Sequence, residues 1–447
     1  MSRTVRFLHT ADIHLGIPVQ GFSGAAKHVE DMLREASFLA WERICDAAIT
    51  CDVDFVLVAG DLYHEEARTV RAVRFFKEQV ERLAEVGINV YAVYGNHDPV
   101  GKEQSILDMP ENFYAFPASH GECIEVHDSS GTALARVLGV SYQRRWDSRR
   151  LHSMLRPEDG ALPNIALLHT ALEPGNSRYA PCSVEDLTDQ EYVHYWALGH
   201  VHEPRVVRDK MPVIAYPGTP QGRHIREGGV GGCFLVELGL NKTPNMRFIP
   251  IGPLVWQEIE LSTAEGDAHT LIYNISDVER LLEGKAEAFL ENPMINTPVP
   301  LADHDWNPDG YLIRWVLTGR SPVHEHLIGN SDDLDLARCL DEFQYREPFL
   351  WTESIRIETG RILPGWEKML ETWPLAQKLE SIADALLNDD SLRDKLQESL
   401  GEIWDLNYDP EHPKNTVLPG NREAVETIIK QAKYLVYEKL LEGGGGP

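Results

Sequence analysis

Between Val5 and His202, five runs of apolar β-formers each deliver the chain into a short piece rich in Gly, Asp, Asn or His. Val5 to Thr10 leads to Asp12-Ile13-His14, Phe55 to Ala59 to Gly60-Asp61, and Val90 to Tyr94 to Gly95-Asn96-His97-Asp98. Ile165 onward ends in His169, and Tyr195 to Gly199 runs into His200-Val201-His202. Buried strands that all end this way are confined to folds that gather strand ends at one edge, where open α/β sheets place their ligands. Helical patterns over Val29 to Thr50 and Thr69 to Val86 lie between the first three strands and supply parallel crossovers.

From Ile124 the pattern becomes richer in strands: Glu122 to Val126, Ala133 to Val140, Ile165 to His169, Tyr195 to Gly199, Val206 to Val207, Val213 to Tyr216 and Cys233 to Leu238. A second sheet packed on the first, with helices outside, fits this succession. The expectation is an α/β two-sheet sandwich flanked by helices over residues 1–250. Residues 251–360 read as a small α+β domain: strands Val255 to Leu261, Tyr311 to Leu317 and Trp351 to Glu358, helices Asp277 to Leu290 and Asp332 to Phe343, and a proline-rich connection from Glu291 to Gly310. Residues 361–442 read as helical, from Gly365 to about Leu400 with a break near Trp373-Pro374, then Arg422 to Leu441 with a stripe of Val425, Ile428, Ile429, Ala432, Leu435 and Val436. Residues 443–447, Gly-Gly-Gly-Gly-Pro, read as a flexible tail.

The 447 residues carry a formal net charge of -28, which excludes a uniformly basic nucleic-acid surface; contact with a polyanion needs local arginine clusters or bound cations. No signal segment or apolar run near the ~20 residues of a membrane span is visible, so the expected location is cytoplasmic. The six cysteines show no CxxC spacing and read as small buried hydrophobes.

Asp12 and His14, one residue apart on extended chain, face the same way. Asp61 can bridge two ions through its two oxygens. Asn96 adds an amide oxygen, and His169, His200 and His202 add imidazoles. Mixed oxygen and nitrogen donors suit Mn²⁺, Fe²⁺ or Zn²⁺ better than Mg²⁺ or Ca²⁺. Two such ions can clamp a phosphodiester and lower the pKa of a water bridging them. His97, beside Asn96, is placed to protonate a leaving oxygen, with Asp98 to orient it; His64, in the loop after Asp61, is a further candidate to touch substrate. Arg144, Arg145, Trp146, Arg149 and Arg150 concentrate cations and an aromatic within one short segment, as phosphate contact and base stacking require. Arg223, Arg226, Arg314 and Arg320 are weaker candidates for the same role.

These motifs resemble the calcineurin-like metallophosphoesterase superfamily, whose DxH, GD, GNH(D/E), H and GHxH elements appear here in order. His9 to Gly16, Ala59 to Tyr63 and Tyr216 to Arg223 are similar to the SbcD nuclease group, in particular its bacterial YhaO-like branch. The resemblance implies one ion on Asp12, His14, Asp61 and His202, a second on Asp61, Asn96, His169 and His200, and Mn²⁺ as the usual metal. It implies that His97 assists cleavage and that His64 orients DNA. It also implies a homodimer, a DNA-binding cap after the core, and an SMC-like ATPase partner of the SbcC or YhaN type. Thr219 stands where that group often has Ser or Asn. The expected activity is hydrolysis of DNA phosphodiesters, exonucleolytic with single-strand endonuclease action beside it, in end processing and repair. Two alternatives stand beside it: a phosphodiesterase or phosphatase for small molecules, and a non-catalytic DNA-end scaffold for the ATPase.

Overall fold

The computed structural model describes residues 4–19, 24–64, 69–100, 108–172, 178–239, 243–264, 272–295, 297, 299–300, 306–329, 336–362 and 373–389, with scattered positions beyond. In the first sheet β1 (Val5–Thr10), β2 (Phe55–Ala59) and β3 (Asn89–Val93) run parallel. Helices α1 (Lys27–Thr50) and α2 (Val70–Glu85) make the two crossovers. A short β4 (Phe113–Ala115) closes one side, and β11 (Gly232–Leu238) with β12 (Pro244–Pro250) adds antiparallel strands beyond β1.

The second sheet has the order β5 (Glu122–His127), β6 (Ala133–Gly139), β7 (Asn164–His169), β8 (Val193–Gly199), β10 (Val213–Tyr216), β9 (Arg205–Arg208). Its central β6, β7 and β8 are parallel. The side-chain period of two sorts each strand between layers. Phe7, Phe55, Leu57 and Tyr91 meet Val137, Ile165, Leu167 and Tyr195 between the sheets. Leu8, Val56, Val58 and Val90 face the opposite way, onto Trp41 and Ile44 of α1 and Phe76 and Val80 of α2. There Trp41 stacks on Phe76 at 4.9 Å, an arrangement contributing about 0.5–1.5 kcal/mol beyond area burial.

A third sheet, β13 (Leu254–Ser262), β14 (Gly310–Thr318) and β15 (Phe349–Ile357), is parallel throughout, with α4 (Ile275–Glu291) crossing between its first two strands. It is fastened to the first two sheets. Gln221 donates to the Leu254 carbonyl and accepts from the Leu254 amide, Trp256 Nε1 donates to the Gly222 carbonyl, and Arg43 pairs with Asp309 at 2.6 Å. The expected sandwich with an added sheet and C-terminal helix is therefore present.

Several details differ from expectation. Strands β4 and β12 and the short α3 (Val184–Thr188) were not foreseen: β4 is three half-buried residues, and β12 is bounded by prolines that read as loop. Where a helix was expected over Asp332 to Phe343, Arg338–Tyr345 is a 3-10 helix; residues 330–335 lie outside the described set. After α5 (His324–Gly329) the next α-helix among the described residues, α6 (Pro374–Asn388), starts at the expected break, with proline at its first position, where its missing N–H costs nothing. Val425 and the tail 443–447 lie outside the described residues; Ile429 packs by Ala383 of α6, and Leu435 and Val436 are exposed. Among the described residues no helix is long and apolar enough to cross a membrane.

Candidate metal centre

The parallel strands of both sheets end at one edge, and the polar pieces converge there. The chain after β1 runs beside the chain after β2, with the Asp12 amide donating to the Gly60 carbonyl and the His14 amide to that of Asp61, both at 3.0 Å. The His200 amide, after β8, donates to both oxygens of Asp12, at 3.1 and 3.0 Å. Turning sharply at a strand end costs conformational energy: Asp12 (φ 50°), His14 (φ 46°), Asp61 (φ 50°) and His200 (φ 101°) all sit in the left-handed region. Such residues carry about 1–3 kcal/mol of strain each and persist where surrounding contacts over-determine them.

The side chains form two overlapping clusters, Asp12 with His14 and His202, and Asp12 with Asp61 and His169, all buried, within which the ligating atoms lie within 4.8 Å of one another. Two nitrogens bound to one ion at about 2.1 Å stand roughly 3.0 to 3.4 Å apart. His14 and His202 present Nε2 to Nε2 at 3.4 Å, with Asp61 Oδ2 4.0 Å from the first and Asp12 Oδ1 3.9 Å from the second. On the other side His169 Nε2 lies 2.9 Å from Asn96 Oδ1 and 3.3 Å from Asp61 Oδ2, and His200 Nδ1 lies 3.0 Å from the same Asn96 oxygen. His169 Nδ1 donates to the Ala59 carbonyl at 2.9 Å, which turns Nε2 toward the cluster. The seven residues singled out from the sequence are therefore brought together, and both clusters fit a divalent cation.

Electrostatics support the fit. Burial pushes the Asp12 carboxyl up to about 6, against the pull of His202 and His169. Burial opposes ionisation of Asp61 as well, yet His169, His97 and His14 hold it well below the usual carboxylate range. Burial also disfavours charge on His169, but Asp61 and then Asp12 outweigh it and raise the imidazole to about 9. These are buried carboxylates whose charge neighbouring imidazoles and backbone amides offset, and a cation between them compensates both at once.

Calcineurin-like phosphoesterases match residues 5–204, a span that holds all seven residues. The uncharacterized metallophosphoesterase YhaO of Bacillus subtilis (strain 168) is 33% identical over 277 residues, 62% of this chain and 67% of that one. This chain belongs to the calcineurin-like phosphoesterase family. DNA double-strand break repair protein Mre11 of Archaeoglobus fulgidus is 26% identical over 305 residues, covering 64% of this chain and 65% of the relative. Mre11 of Aeropyrum pernix is 26% identical over 283 residues, covering 60% and 66%. The chain thus spans about two-thirds of the length of these relatives.

Two residues of this phosphoesterase that sequence motifs did not mark support the cluster from outside. The buried Glu227 carboxylate accepts from His202 Nδ1 at 2.8 Å and from Arg223 Nη2 at 2.6 Å. The aromatic ring of Tyr179 lies 4.8 Å from that of His200. No spacing relative to a motif flags either; Glu227 arrives on a 3-10 turn, Ile225–Glu227, well beyond α3, and Tyr179 on the chain just before α3. Thr219, whose place in the Pro-Gly loop the sequence did mark, donates its hydroxyl to the Asp12 carbonyl at 2.9 Å, and its amide donates to that of His202 at 2.9 Å. It ties the first and last ligand loops together.

His97 is half-buried at the rim, its ring 5.2 Å from that of His14 and 4.4 Å from that of His64, and its amide donates to Asp61 Oδ1 at 2.9 Å. Asp98 accepts from the Gly95 and Tyr63 amides at 2.8 and 3.1 Å, bracing the loops that carry Asn96 and Asp61; burial and the Asp61 charge raise it to about 7. The arginines divide. Arg149 is bound to the buried Asp147 and the Ala118 carbonyl, Arg150 to Asp186, Arg223 to Glu227, Arg314 to Glu353, and Arg320 to the Arg361 carbonyl. Arg144, Arg145, Trp146 and Arg226 are exposed.

Proposed function

We propose that this phosphoesterase is a metal-dependent DNA nuclease, an exonuclease that also cuts single strands, acting in the processing of DNA ends. The observation that carries the reading is the pair of overlapping buried clusters around Asp12 and Asp61 with His97 at their rim. Asp12, His14, Asp61 and His202 would hold one ion, and Asp61, Asn96, His169 and His200 the other. The donor set favours manganese. When bound, such ions supply positive charge for the phosphate oxygens and acidify a water between them.

The protein's own groups do the rest. Asp61 keeps its charge in the buried site because three imidazoles surround it. The His97 ring stands edge-on to His14 at the rim, 5.2 Å centroid to centroid, a place from which an imidazole can give a proton to the departing oxygen. His64, 4.4 Å from His97 ring to ring, limits the approach to that space and orients the strand. Asp98 holds the two loops in register through the amides of Gly95 and Tyr63.

DNA is favoured as the substrate by the similarity to relatives named for double-strand break repair, and by exposed arginines in an acidic chain. A homodimer and an ATPase of the SbcC or YhaN type belong to the same reading. The partly uncovered C-terminal stripe, with Leu435 and Val436 exposed, supports a helical partner surface.

The test is digestion of matched linear single-stranded, linear duplex and closed circular DNA with and without Mn²⁺, with bis-p-nitrophenyl phosphate as a small diester. Manganese-dependent loss of linear DNA is expected. Hydrolysis of the small diester alone assigns the site to small substrates instead.

A further inference from the structure

The segment after β6 and the segment before α3 meet at a parallel bridge between Asp147 and Tyr179, reinforced by donation from the Ala180 amide to the Asp147 carbonyl at 2.8 Å. Alternation across such a pairing sends paired and flanking side chains to opposite faces. Asp147 is buried and Tyr179 reaches the ring of His200 at 4.8 Å, whereas the flanking Trp146 is 55% exposed and Arg178 is exposed beside it. The Arg178 guanidinium carbon stands 6.0 Å from the Trp146 ring, and Arg144 and Arg145 are exposed immediately before it.

The lip is held in place. Asp147 accepts from the Gln143 amide at 3.1 Å and from Arg149 Nε at 2.8 Å, and Arg149 Nη1 donates to the Ala118 carbonyl at 2.7 Å. A large aromatic kept in water on a braced loop loses little conformational freedom when a flat partner covers it. Bases of an intact duplex already stack on one another, so the partner such a ring selects is an unpaired base, with nearby arginines on the phosphates.

We infer that Trp146, with Arg144, Arg145 and Arg178, is a stacking platform for single-stranded DNA on the outer face of the lip whose inner face, Tyr179, covers His200. The choice of DNA as the polymer rests on the nuclease reading; the platform itself rests on this geometry. Arg149 and Arg150, tied to Asp147 and Asp186, brace the lip and stand outside the platform. Arg178 of the platform is one residue along the chain from Tyr179 at the wall of the metal centre, and Trp146 is one residue from its bridge partner Asp147.

The experiment uses the full chain in EDTA, so that no DNA is consumed, with fluorescence anisotropy of labelled oligothymidylate, oligouridylate and a matched duplex. Trp146→Ala should weaken oligothymidylate binding about tenfold, and Trp146→Phe should restore most of it. Replacing Arg144, Arg145 or Arg178 by Ser should flatten the slope of log affinity against log salt by about 0.7 each. On the unmodified protein, an oligonucleotide carrying 5-iododeoxyuridine should photo-crosslink to the peptide containing Trp146. Unchanged affinity in Trp146→Ala with no crosslink at that peptide overturns the platform, as does equal binding of the duplex or tighter binding of oligouridylate. If the wild type digests DNA with Mn²⁺ while Trp146→Ala binds as tightly as wild type, the platform falls and the nuclease reading stands. If binding depends on Trp146 but no DNA is digested, the nuclease reading falls and the platform is retained.

Discussion

Glu227 accepts a hydrogen bond from His202 Nδ1 at 2.8 Å, fixing which nitrogen of that imidazole turns toward His14 and Asp12. Carboxylates in this position raise ligand basicity, and losing them costs metal affinity about 10- to 100-fold. Glu227→Gln keeps an oxygen for Nδ1 but loses the charge that also holds Arg223, so a smaller loss is expected than in Glu227→Ala. Manganese titration calorimetry on the wild type and both variants reads this directly. Equal affinity in all three proteins refutes the positioning role.

His97 meets the cluster at the rim, its ring beside that of His14 and its amide on Asp61, and the amide survives truncation of the side chain. His97→Ala is therefore expected to keep the metal content of the wild type while turnover of DNA falls at least about a hundredfold, and that of bis-p-nitrophenyl phosphate, whose nitrophenolate departs without a proton, falls much less. Metal analysis alongside rate measurement separates the two effects. A parallel loss of metal assigns His97 to holding the site together.

The convergence of the seven residues was legible in the sequence because each ends or closely follows its strand: β1 and β2 have the expected bounds, and Asp12 and Asp61 come within two residues of their ends. Local pattern and site coincide there. Glu227 meets His202 from 25 positions along the chain, and Tyr179 meets His200 across a helix and a strand; only tertiary packing makes these contacts. The arginine segment shows the opposite limit. Composition groups Arg144, Arg145, Arg149 and Arg150, but the buried carboxylate of Asp147 takes Arg149 inward, and which member pairs depends on partners such as Ala118 and Asp186 from elsewhere in the chain.

Gly95 shows how little space remains between the loops. A Cβ there would meet Asp61 Oδ1 and lie 2.8 Å from His169 Nε2. Both are fixed parts of a buried cluster, so Gly95→Ala must displace one or shift the Asn96 loop. The expected result is a folded protein that retains less than its full complement of manganese, measured by equilibrium dialysis with circular dichroism as the fold control. Full retention shows that the loop can give way without disturbing the ligands.

His9 links the two sheets behind the metal centre, with Nδ1 2.9 Å from the Tyr195 hydroxyl and Nε2 3.1 Å from the Leu198 carbonyl. Burial lowers its pKa from 6.5 to about 3, only partly offset by the Leu198 carbonyl. Below the unfolded value the unfolded chain takes up a proton that the folded protein refuses, so stability falls as pH drops from about 6.5 toward 3 and is fully present above 6.5. Between pH 7.5 and 5 this one residue accounts for about 2 kcal/mol. His9→Phe removes that dependence while leaving the Tyr195 hydroxyl and Leu198 carbonyl without their partner, a cost of about 1–3 kcal/mol near neutrality. Urea denaturation across this range should therefore show the wild type ahead at pH 7.5 and the gap closing toward pH 5. A gap that stays constant with pH would mean that His9 accepts its proton in the folded state.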